Sequence, residues 1–190
     1  GCLDHTDESV NAEVMYARIE AEAFFEDDVI KLIKNNLKYL SKGSRIKAGI
    51  EDIFDSYNSG LTWKQAREKF LKQYNVFEPC DALVNVPFTI MALLYGKKDF
   101  EQTMLIALNS GYDTDCTTAT AGSILGIIAG AEKLPPNWKA KVGDEYVIGI
   151  DVKRSDKRIF TLAKDTARIG ITMAKLRNKN IKITNVPAGQ

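Results

Sequence analysis

Over the first 130 residues the chain repeats one pattern: apolar residues at steps of three and four, each run preceded by a capping residue and closed by a turn. Val10, Val14, Ala17, Ala21 and Phe24 share one helical face, in a helix that starts near Thr6 or Asp7. Ile30, Ile33, Leu37 and Leu40 mark a second helix, with Asp27 or Asp28 as its cap and Ser41 to Gly43 as its end. Ser44 opens a third, bearing Ile46, Ile50, Ile53 and Tyr57. Thr62 and Gln65 stand at the spacing of a capping box, and Trp63, Ala66, Phe70 and Tyr74 form the apolar stripe that follows.

After a loop from Asn75 to about Leu83, an apolar helix must take up Pro87 early and end at Leu94 to Gly96. Asp99 caps the next helix, which carries Phe100, Met104 and Ala107 and stops at Gly111. A helix of small residues then runs from Asp115 to Ala131, where Pro135 and Pro136 forbid its continuation. Beyond Trp138 the pattern weakens. Tyr146 to Val152 and Ile181 to Val186 alternate like short strands, around one helix marked by Phe160, Ala163, Ala167, Ile171 and Ala174 with a basic outer face. The expectation is an all-α bundle over residues 1–140, with a strand-decorated tail over 141–190 whose helix packs on the same domain.

With 26 basic and 25 acidic residues the net charge is +1, so no bulk field draws the chain to nucleic acid or to an anionic membrane, and neither is expected as a partner. Three cysteines, Cys2, Cys80 and Cys116, lack any metal-ligand spacing and fit a reducing cytoplasm. The longest apolar stretch is too short to span a bilayer. The first residue is Gly1, close ahead of a strong helical pattern, and the expected gene product extends upstream.

Two carboxylates, Asp113 and Asp115, fall where the small-residue helix begins. Residues two apart point in nearly opposite directions in mid-helix, so the pair converges only at a helix end. One reading makes them a cap and a first-turn charge, each favoured by the helix dipole. The other makes them ligands: held about 4 Å apart they repel by roughly 4 kcal/mol at a dielectric near 20, and a cation relieves that. Hard oxygens with no histidine nearby suit magnesium or manganese rather than zinc. The run Glu26 to Val29 also carries clustered acids, which read as a helix cap.

The run "GYDTDCTTATAGSILGIIAGAEKLPPNW", with "LDHTDESVNAEVMYARIEAEAF" and "MALLYGKKDFEQTMLIALNSG" before it, resembles the ADP-ribosylglycohydrolase family over about residues 3–139. The resemblance implies an all-helical fold of orthogonal helices, here lacking its amino-terminal side, and a magnesium-bearing cleft that cleaves ADP-ribosyl glycosidic bonds. Partners implied are an ADP-ribosylated protein or a small ADP-ribose conjugate. It also implies that Asp113 and Asp115 are metal ligands and that His5 lies near the substrate. No catalytic acid or base is identified. Cys116 stands where the family has a threonine hydroxyl in the metal shell, and a soft thiol is a poor magnesium ligand. An alternative is a non-catalytic helical module derived from the family. Self-association through exposed apolar surface is a further expectation.

Overall fold

The computed structural model describes residues 2, 3, 6–147 and 156–177. They divide into two compact units, 1–135 and 136–190. The first holds seven helices: α1 (Asp7–Ala23), α2 (Val29–Asn36), α3 (Arg45–Asn58), α4 (Trp63–Tyr74), α5 (Ala82–Gly96), α6 (Phe100–Asn109) and α7 (Thr114–Ala129). The all-helical expectation is met. Side chains of Asp28, Ser44, Thr62, Asp81 and Asp99 each accept a backbone N–H from the first turn of the helix that follows, and Thr62 with Gln65 completes the capping box.

Helix α5 is the axis of this unit. It is apolar all round and buried from Leu83 to Leu94 except at Asn85, as a helix surrounded by others must be. It packs against α3, α6 and α7. Close approach is bought with glycine at two points. A Cβ at Gly49 of α3 would meet the Phe70 ring at 2.9 Å and Pro87 at 3.0 Å, and one at Gly96 would lie 2.8 Å from the Thr103 Cα. Pro87 lies in the second turn of α5, later than a proline is easily accepted.

Helix α1 turns the opposite face to the core from the one its most regular apolar spacing suggests. Ala12, Met15, Ile19 and Ala23 are buried, whereas Val14 is 43% and Phe24 70% exposed. Tertiary hydrogen bonds set this rotation. Glu8 Oε2 accepts from Ser44 Oγ (2.6 Å) and Ile46 N (3.2 Å), and Tyr16 Oη donates to Val86 O (3.2 Å). Glu8 and Tyr16 lie on the same side of the helix as Met15 and Ile19, so those tethers carry that side inward.

The second unit contains α8 (Pro136–Val142) and α9 (Ile159–Arg177). Of the strand expected from Tyr146 to Val152, the described residues Tyr146 and Val147 are in no strand; Glu145 just before them bridges Arg158, and Tyr146 N donates to Lys157 O at 3.0 Å. Residues 148–152 and the strand expected at 181–186 lie outside the described residues.

Candidate metal centre

The chain reverses between α6 and α7 through two successive left-handed residues, Gly111 (φ +74°) and Tyr112 (φ +65°). Glycine takes that conformation without strain, but tyrosine does so at a cost of about 1 kcal/mol or more, so Tyr112 must be held. Its hydroxyl donates to Val76 O at 2.9 Å, and its ring stands edge-on to Phe88 at 5.8 Å. Arg67 Nε donates to Ser110 O at 2.7 Å. The N–H of Asp113 donates to Asn85 Oδ1 at 3.1 Å, while Asn85 Nδ2 donates to Pro79 O (2.7 Å) and Asp81 O (3.1 Å). Side chains from α4 and α5 therefore pin the turn that presents the two carboxylates.

Asp113 occupies the cap position of α7, yet its side chain makes no capping hydrogen bond. The five acidic or hydroxyl caps named above all make one. Instead the Asp113 carboxylate lies beside the Cys116 thiol. Carboxylate oxygens of Asp113 and Asp115 and the Cys116 sulfur lie within 4.8 Å of one another. The convergence that mid-helix geometry forbids arises because Asp113 is still outside the helix while Asp115 is in its first turn. Asp113 is half-buried, and the other two are exposed.

The hydrogen bond to Asp113, then burial, then the negative charges of Asp113 and Asp115 push the Cys116 thiol up from its ordinary value. It is no activated nucleophile. Two hard oxygens two positions apart in sequence, with a neutral sulfur beside them, form a donor set that can hold a metal ion.

Beside the cluster lies a pocket of about 260 Å³ between α1, α5 and α7. Glu13 and Tyr16 line it from α1, Asn85 and Thr89 from α5, and Asp113 and Thr117 from α7. Tyr16 is half-buried, and desolvation raises its phenol well above the usual range. Thr117 is buried, and its hydroxyl donates to Thr114 O at 3.3 Å. The other acidic run serves structure, as its sequence suggests: Asp28 caps α2, Glu26 pairs with Lys31, and Asp27 lies 3.3 Å from Lys98.

His5 lies outside the described residues. Sequence reasoning singled out neither Asn85 nor Tyr16. A signal for Asn85 was present, since it and Thr89 are polar residues one turn apart in an otherwise apolar helix. Neither the curated proteins nor the solved structures contain a match to this chain. A family model described as ADP-ribosylglycohydrolase matches residues 1–173, and with that span added to the helical fold and the paired carboxylates, the chain belongs to the ADP-ribosylglycohydrolase family.

Proposed function

We propose that the protein hydrolyses the glycosidic bond between ADP-ribose and a protein side chain or small acceptor, with magnesium, or manganese in its place, held by Asp113 and Asp115. The observation that carries this reading is the Asp113 carboxylate: it sits at a cap position, makes no cap, and faces Asp115 at the edge of a pocket. A bound divalent ion supplies positive charge for ribose hydroxyls and acidifies water. Asn85 keeps the Asp113 backbone in place, and the walls formed by Tyr16 and Thr117 shelter the sugar from solvent. His5, ahead of α1, is a substrate contact in this reading. Two monodentate carboxylates leave most of an octahedral shell to water, substrate and other groups, so these residues supply part of the site. Residues 1–140 carry the chemistry and 141–190 form a tail. The free thiols of Cys2, Cys80 and Cys116 fit a cytoplasmic setting.

Release of ADP-ribose from an ADP-ribosylated protein, assayed with the protein as encoded, is expected to require magnesium and to fall by more than about 100-fold in Asp115→Ala. Unchanged turnover in that variant refutes the assignment. Cys116 favours a second reading, a non-catalytic binding module. That reading predicts ADP-ribose binding without turnover, which calorimetry and the same assay separate.

The outward face of α1 supports self-association. Val14, Ala17, Ala21 and Phe24 lie exposed along it, with Phe25 93% exposed at its end. Sedimentation velocity is expected to show concentration-dependent association that Phe24→Asp with Phe25→Asp removes. A monomer at the highest concentrations contradicts it.

A further inference from the structure

Asp113 and Cys116 stand three positions apart at the start of α7, the relation that Thr62 and Gln65 hold at the start of α4. In α4 the later residue reaches back: Gln65 Oε1 accepts from Thr62 N and from Thr62 Oγ1, both at 2.9 Å. At α7 the same relation holds without those bonds. Asp113 N donates to Asn85 Oδ1 at 3.1 Å, and the Asp113 side chain caps nothing. The backward reach of Cys116 therefore brings a sulfur to two carboxylates, with one donor atom from each of Asp113, Asp115 and Cys116 inside a span of 4.8 Å.

The softness of sulfur decides which ion gains from it. Magnesium takes a near-octahedral shell of oxygens at about 2.1 Å and gains little from a polarizable thiol. Zinc binds thiolate sulfur at about 2.3 Å and carboxylate oxygen at about 2.0–2.2 Å, often through three protein ligands with a fourth position left to water. Tetrahedral angles then set oxygen and sulfur about 3.6 Å apart, so a donor set spanning 4.8 Å closes by about 1 Å. Asp115 and Cys116 are exposed, and rotation of their side chains supplies that movement without disturbing the core. Copper and nickel prefer planar sets of nitrogen and oxygen, which these three residues do not offer.

Two neighbouring carboxylates disfavour a thiolate when no cation is near, which argues against a nucleophile, whereas a coordinated dication reverses that balance. We propose that zinc binds at Asp113, Asp115 and Cys116 with the Cys116 sulfur as a direct ligand, and so competes with magnesium for the two carboxylates. The S–H proton passes to water as the zinc–sulfur bond forms, and nothing is oxidised or reduced. This rests on Asp113 and Asp115 being metal ligands, and it gives Cys116 a role that magnesium does not.

Cobalt, which takes the place of zinc in such sites and absorbs when bound to sulfur, tests the ligand directly. Titration of the full chain, kept reduced, with cobalt is expected to produce a near-ultraviolet sulfur-to-cobalt charge-transfer band that added zinc abolishes. Cys116→Ser should lose the band, and Cys80→Ser should keep it. By calorimetry, Cys116→Ser should weaken zinc binding by about 100-fold, while magnesium binds as in wild type or more tightly to the harder hydroxyl. Far-UV circular dichroism and the melting temperature of each variant check that it folds. Bound cobalt without a sulfur band, a band that depends on Cys80 or Cys2 instead of Cys116, or equal zinc affinity in wild type and Cys116→Ser overturns the proposal and leaves the magnesium reading standing. Zinc that binds without displacing magnesium also overturns it. Failure of magnesium, cobalt and zinc alike to bind overturns both.

Discussion

Asp113→Asn is expected to leave the metal-free protein at least as stable as wild type while weakening magnesium binding by about 100-fold or more. The two halves of that expectation have separate causes. Asparagine caps helices as well as aspartate does, keeps the backbone N–H that donates to Asn85, and removes one of two negative charges held within 4.8 Å. At a dielectric near 20 that repulsion is roughly 3 kcal/mol, and water and salt around exposed Asp115 reduce it to a fraction. The lost charge is the one a cation needs. Wild type should therefore gain about 2.7 kcal/mol of stability at a magnesium concentration 100 times its Kd, a gain the variant lacks. Thermal denaturation across a magnesium titration measures both halves. If Asp113 were an ordinary cap, Asp113→Ala would instead cost about 1 kcal/mol in metal-free protein, and magnesium would shift neither melting curve.

The difference between Asp113 and the caps of α2 to α6 marks where sequence reasoning reaches its limit. Asp28, Ser44, Thr62 with Gln65, and Asp99 were legible because capping is local: the partner lies within one turn. The convergence of Asp113 and Asp115 was legible for the same reason, from their place at a helix start. What fixes them was not. Asn85 reaches Asp113 across 28 positions, Arg67 reaches Ser110 across 43, and Tyr112 reaches Val76 across 36. Helix α1 shows the ambiguity of periodicity itself. It carries apolar residues on two opposite faces, and only the distant bonds of Glu8 and Tyr16 decide which is buried. The pocket follows from that rotation, because it brings Glu13 and Tyr16 toward α7.

Phe88→Ala is expected to cost about 3–5 kcal/mol of stability and, in the molecules that remain folded, to weaken metal binding. The Phe88 side chain is fully buried, with ring centroids 5.3 Å from Phe70 and 5.8 Å from Tyr112, and the Arg67 guanidinium lies 5.9 Å from its face. Its loss thus takes a large part of a stability that for such domains is about 5–15 kcal/mol. It also frees two of the side chains that hold the turn before Asp113. Once its ring contact is gone, Tyr112 keeps a left-handed conformation against its own preference with one hydrogen bond to Val76. Phe70→Ala provides the comparison, because that ring is equally buried but stacks on Tyr74 rather than Tyr112. Urea denaturation should give similar losses for the two variants, while calorimetry in dilute buffer should show weakened magnesium binding for Phe88→Ala alone. Equal affinity losses, or none in either, would mean that the core beneath the turn does not position the carboxylates.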